Sequence, residues 1–226
     1  MAIEAGGVRL AGDLAIPRPA RGAVAFAHGS GSSRFSPRNR YVAEVLRHEG
    51  LGTLLLDLLT GDEEDVDART AHLRFDAPLL AERLVAAIDW IHGEDDARDL
   101  SMGCFGASTG AAAALSAAAR RPALVRAVVS RGGRPDLAQN DLPSVRAPTL
   151  LIVGGRDDVV IKLNKQAMAQ LRCEARLEVI PGATHLFEES GALEQVARLA
   201  AAWFQRFLPG GSGSVSGAQE RRDRNG

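Results

Sequence analysis

A serine hydroxyl is a poor nucleophile at neutral pH, and it becomes a good one only when a base takes its proton and a third group holds that base in the right tautomer. The 226-residue chain contains one serine in a setting built for this: Gly106-Ala107-Ser108-Thr109-Gly110. The pattern follows an apolar run directly and opens a stretch of small residues, Ala111–Ala114. A serine on a sharp strand-to-helix turn sits on strained backbone, so its neighbours must be small. Taken alone, the same five residues also describe a glycine-rich turn whose serine caps a helix. Their place between an apolar run and a small-residue helix favours a nucleophile at Ser108.

The base and its partner come from two later loops. The apolar run 149–153 ends in Gly154-Gly155-Arg156-Asp157-Asp158, which puts a carboxylate just past a strand end. Either aspartate is equally suited to capping the helix that begins near Val160. The run 176–180 is followed by Pro181-Gly182-Ala183-Thr184-His185, a turn able to carry a histidine back over a sheet. Of the five histidines only His28 and His185 follow strand-like runs, and the order Ser, Asp, His is the one this nucleophile turn uses. An oxyanion needs two N–H donors: Thr109, after the nucleophile, and one from the loop Ala27-His28-Gly29-Ser30-Gly31-Ser32-Ser33, with Ser30 ahead of Gly31. That loop also imitates a dinucleotide-binding fingerprint, with Asp57 as the acid ending the next strand. The imitation fails at Arg34, where a third glycine would be needed.

Arg34, Arg38, Arg131, Arg134 and Arg156 lie on or beside the same strand-end loops. Gly31, Arg34 and Arg131 are the expected substrate contacts, the arginines gripping a carboxylate or phosphate through a bidentate fork. Solvated loop charges are the ordinary alternative.

These residues need a scaffold that brings strand ends together. Gly6-Gly7 predicts a hairpin of strands over 2–5 and 8–16. Apolar runs at 22–27, 52–57, 98–104, 125–130, 148–153 and 176–180 predict strands buried on both faces. Helical spacing is found from Ser36-Pro37 to Gly50 and over 77–92, 109–120, 161–172 and 191–208, whereas Gly61-Asp62-Glu63-Glu64-Asp65 is expected to be a solvated loop. The alternation predicts an α/β fold, a mostly parallel sheet of about eight strands with helices on both faces and ligands at the carboxyl ends of the strands. One domain is expected over 1–208. The tail 209–226, rich in glycine and serine and then in charge, is expected to be disordered.

With 27 basic against 28 acidic residues, the net charge of -1 offers no basic field for a nucleic acid. Two cysteines make no disulfide or zinc framework. The start of the chain lacks a basic segment followed by an apolar one, and no apolar stretch is long enough for a membrane span, so a cytoplasmic protein is expected.

Together HGSGSS, GASTG, GGRDD and GATH make the chain resemble the α/β-hydrolases, and among them the small members similar to dienelactone hydrolases, over roughly residues 1–208. The resemblance implies Ser108 as nucleophile, His185 as general base and, three residues after Gly154, Asp157 as orienting acid, with no metal or organic cofactor. Dienelactone hydrolases proper use a cysteine nucleophile, but position 108 is serine and Cys104 falls inside the preceding strand. A small carboxylic ester or lactone is therefore the expected substrate. Thioester cleavage or acyl transfer with the same residues, or a non-catalytic ligand-binding role, are the alternatives. The stretch Ser130–Pro148 is too short for the helical cap many family members insert, which implies an open cleft.

Overall fold

A computed structural model describes residues 1–208, and the expected tail at 209–226 lies outside the described residues. Gly6 and Gly7 take φ of +59° and +83°, the left-handed values a two-residue hairpin turn requires, and join β1 (Ala2–Ala5) to β2 (Val8–Ala15). Then follow β3 (Gly22–Ala27), α1 (Pro37–His48), β4 (Leu51–Leu56), α2 (Gly61–Thr70), α3 (Ala77–Gly93), β5 (Ser101–Ala107), α4 (Gly110–Arg120), β6 (Val125–Arg131), β7 (Thr149–Gly154), α5 (Asp158–Met168), β8 (Ala175–Ile180) and α6 (Ala192–Phe207). The eight strands form one sheet in the order β1-β2-β4-β3-β5-β6-β7-β8. The β1–β2 and β2–β4 pairs are antiparallel and all later pairs are parallel.

Every residue of β3, β4 and β7 is buried, as strands covered on both faces must be. Val24, Phe26, Phe105, Val129 and Ile152 face α1 and α6, where they meet Val42, Leu46, Trp203 and Phe204. Ala25, Ala27, Cys104 and Val128 face the other way, toward Leu84 and Ile88 of α3 and the alanines of α4. Small side chains on both sides of the β3–α4 contact let α4 lie close to the sheet, and α4 is the helix that starts just after Ser108.

Three segments depart from the sequence expectation by more than a residue or two. Strand β5 begins at Ser101 and runs to Ala107, three residues later than expected, so it delivers the chain directly to Ser108. Helix α5 begins at Asp158 rather than 161, because the Asp157 side chain caps it by accepting from the Val160 N–H at 3.3 Å. The acidic run expected to be a solvated loop is the first turn of α2. Thr60 and Glu63 form a reciprocal capping box there, and Asp62, Glu63 and Glu64 complement the positive helix end. The charge of the segment obscured it, but Thr-x-x-Glu was the available signal.

Between β6 and β7 there are only two short 3-10 turns, Pro135–Ala138 and Leu142–Ser144, and no cap domain. Among the described residues no helix is long and apolar enough to cross a membrane.

Candidate active site

Ser108 has φ +50°, one of three non-glycine residues in the left-handed region among the described residues. Such a turn leaves no room beside it, which accounts for both glycines of the pattern. A Cβ at Gly106 would stand 2.4 Å from Ala111 Cα, and one at Gly110 would stand 2.3 Å from the Ala27 carbonyl oxygen. Both obstacles are backbone and cannot swing away. The loop after β3 comes equally near, since a Cβ at Gly29 would be 3.0 Å from Ser108 Cβ.

His185 Nδ1 lies 2.7 Å from Asp157 Oδ2, and its Nε2 lies 3.4 Å from Ser108 Oγ. The carboxylate fixes the proton on Nδ1, which leaves the Nε2 lone pair facing the hydroxyl. Asp157 thus does both things its position suggested: Oδ1 caps α5 and Oδ2 accepts from the imidazole. Asp158 is exposed in the first turn of α5. The loop carrying His185 crosses the end of β7 at Gly154, where a Cβ would be 2.5 Å from the Ala183 and Thr184 carbonyl oxygens. The Arg156 N–H donates to Ala183 O at 2.9 Å, and the Glu189 carboxylate accepts from the Thr184 N–H at 3.1 Å. Burial pushes the Cys104 thiol up to about 12, so it supplies no thiolate near neutral pH.

On the other side of Ser108, the Ser30 and Thr109 hydroxyls bond to each other at 3.0 Å, tying the β3 loop to the start of α4. Among the described residues the backbone N–H groups of Ser30 and Thr109 have no protein acceptor.

His28, the other strand-end histidine, is a brace. Its Nε2 accepts from the Leu58 N–H at 3.1 Å, which requires that nitrogen to be unprotonated, while Nδ1 donates to Gly29 O at 2.9 Å. Burial lowers its pKa from 6.5, outweighing the Gly29 hydrogen bond that favours the charged form. Below pH 6.5 the unfolded chain therefore takes up a proton that the folded chain refuses. Stability should be fully present above pH 6.5 and fall by up to about 1.4 kcal/mol per pH unit as acid is added, until the folded-state pKa is reached. Urea unfolding from pH 7.5 to 5 should show this slope in the wild type and a shallower one in His28→Asn, and equal slopes would contradict the assignment.

A cleft of about 190 Å³ opens beside Ser108 and His185, lined also by Ser30, Ser36, Arg38, Asn39, Arg131 and Leu186. Arg131 therefore lines the same cleft as Ser108 and His185. Arg34 does not: its guanidinium pairs with Asp57 and lies 3.5 Å from Asp13, and its backbone N–H donates to Asp57 Oδ1 at 2.6 Å. Asp57, which imitated a ribose-binding acid, is the partner of Arg34. Gly31, with φ +63°, lines an adjoining open groove of about 520 Å³ with Phe35, Asp57 and Glu64, which shares Ser32 and Ser36 with the cleft. Arg38 and Asn39, absent from the expected contacts, enter the cleft because α1 points its first turn at Ser108. Ser36-Pro37 as a helix start was the signal for that.

The mostly parallel sheet, its crossover helices and the strand-end loop cluster define an α/β-hydrolase fold. The sequence pattern of the dienelactone hydrolase family matches residues 10–208, and the chain belongs to that family. It is similar to a dienelactone hydrolase from Anabaena variabilis, with 61% identity, a TM-score of 0.90, and 92% of this chain and 96% of that one covered. A Mycobacterium tuberculosis protein with a provisional phosphoribosyl transferase name is 58% identical over 213 residues, 93% of this chain and 47% of that one. The chain thus spans about half the length of the curated relatives it matches. Est1E from Butyrivibrio proteoclasticus, at 17% identity and a TM-score of 0.77 over 92% of this chain and 98% of that one, shares the fold.

Proposed function

We propose that the protein hydrolyses a small carboxylic ester or lactone through an acyl-enzyme on Ser108. The observation that carries this reading is the single imidazole bridging Asp157 at 2.7 Å and Ser108 at 3.4 Å, on a serine held at φ +50°. His185 Nε2 takes the Ser108 proton as Oγ attacks the carbonyl carbon, and Asp157 stabilises the imidazolium. The N–H groups of Ser30 and Thr109 receive the oxyanion. His185 then gives its proton to the leaving alcohol oxygen as the tetrahedral intermediate collapses. A water, deprotonated by the same nitrogen, attacks the acyl-enzyme and releases the acid and free Ser108. His185 Nε2 returns that proton to Ser108 Oγ as the second intermediate collapses, so every transfer passes through the imidazole and Asp157 takes no proton.

A small fluorophosphonate tests nucleophile activation without knowledge of the substrate. Intact-mass analysis should find one adduct per chain on the wild type and none on Ser108→Ala. A folded wild-type protein that takes up no adduct would exclude the serine-hydrolase reading in favour of a ligand-binding role.

A further inference from the structure

The two arginines that line the cleft lack the close carboxylate pairing that two other strand-end arginines have. Arg34 is neutralised by Asp57 and Arg134 by Asp136. Arg131, 7% exposed, has no carboxylate partner among the described residues, and its Nε and Nη1 make no hydrogen bond there. Burial, and then the nearby charge of Arg38, push its pKa down to about 10, which still leaves it cationic at neutral pH. Among the described residues Arg38 Nε is likewise without a partner, and the group's one carboxylate contact is Glu188, 3.3 Å away and itself 65% exposed in its side chain. A buried, unpaired guanidinium facing a second one is strongly unfavourable in a resting protein. The feature makes sense if a ligand supplies the missing charge.

The same wall carries the positive end of α1, a twelve-residue helix. Ser36 Oγ accepts from the Asn39 N–H at 3.3 Å, while the Arg38 N–H has no acceptor among the described residues. Two guanidiniums and a helix N-terminus on the lining of one cleft supply more positive charge than one carboxylate neutralises, the combination of groups that binds phosphate. Leu186 is the one large apolar side chain in the lining.

We infer that the substrate carries a phosphate monoester, held between Arg131, Arg38 and the first turn of α1 while its ester carbonyl lies at Ser108. The ester half of this statement rests on the proposed hydrolase activity, and the phosphate half does not.

Inorganic phosphate titrated into the full chain by calorimetry at low salt tests the binding half. One saturable site is expected, weakened about ten- to a hundredfold in Arg131→Met and also weakened in Arg38→Met. It should be unchanged in Arg9→Ala, whose side chain is 77% exposed on β2. Without phosphate, Arg131→Met should melt higher than the wild type, because an unpaired buried charge is gone. Phosphate should raise the melting temperature of the wild type and not of the variant. Absence of saturable binding to the wild type, or equal binding by Arg131→Met and Arg38→Met, would overturn the site.

Nitrophenyl esters with acyl chains of equal length ending in phosphonate, carboxylate or methyl test the other half. The wild type should prefer the phosphonate, and Arg131→Met should lose that preference. A preference for the carboxylate would overturn the phosphate assignment. Phosphate binding without turnover of any ester would uphold the anion site and refute the hydrolase reading.

Discussion

Ser108→Gly should abolish ester turnover and at the same time raise the stability of the fold. Removal of a serine nucleophile whose base and oxyanion donors remain in place lowers kcat by up to about 10⁶-fold. The backbone effect runs the other way. Ser108 has φ +50°, where an L-residue is strained by about 1–2 kcal/mol and glycine is not. Glycine loses more chain entropy on folding, about 0.5–1 kcal/mol, so the net gain should be roughly 0.5–1 kcal/mol, or about 2 °C in a thermal melt. Against this gain stands only the long hydrogen bond between the Ser108 hydroxyl and His185, at 3.4 Å, which glycine cannot make. Ser108→Ala should lose the same activity without the stability gain, since alanine keeps the strain. A glycine variant that retains more than about a hundredth of wild-type turnover would move the nucleophile elsewhere.

That trade-off also accounts for what could be seen in the sequence. Glycines 106 and 110 are required by backbone atoms 2.3–2.4 Å from where their Cβ would lie, an obstacle so absolute that it leaves a mark on residue type. The strand positions followed from the same logic, because β3, β4 and β7, buried at every position, read as largely apolar runs. What stayed hidden depends on partners far apart in the chain. Arg34 and Arg38 are four residues apart and look interchangeable, but Asp57, 23 residues after Arg34, takes the charge of one and leaves the other facing the cleft. Gly31 sits on the expected loop and lines the adjoining groove, not the cleft that holds Ser108. Helix α2 has no apolar stripe, only the Thr60–Glu63 box to announce it.

His28 and His185 make the same point from opposite sides. Both follow strands, and their types and flanks do not separate them. The Leu58 N–H occupies Nε2 of His28, whereas Asp157 occupies Nδ1 of His185 and leaves its Nε2 facing a serine. A histidine's role is set by which nitrogen is taken, and that is decided by elements the local sequence does not contain.

Asp157→Asn separates the two duties of that side chain. Asparagine is as good a helix cap as aspartate, so its Oδ1 still accepts from the Val160 N–H, and stability should change by less than about 1 kcal/mol, chiefly through the lost attraction of a negative charge for the helix end. The other half of the amide presents an N–H to His185 Nδ1, which then accepts instead of donating. The imidazole proton moves to Nε2, and Ser108 faces a donor where it needs a base. Turnover should fall by about 10⁴-fold, with fluorophosphonate labelling slowed in step and the melting curve nearly unmoved. Asp158→Asn, on the adjacent exposed position, should leave both intact. Equal losses from the two variants would mean that the loop's negative charge matters and the Nδ1 contact does not, because only Asp157 holds the imidazole.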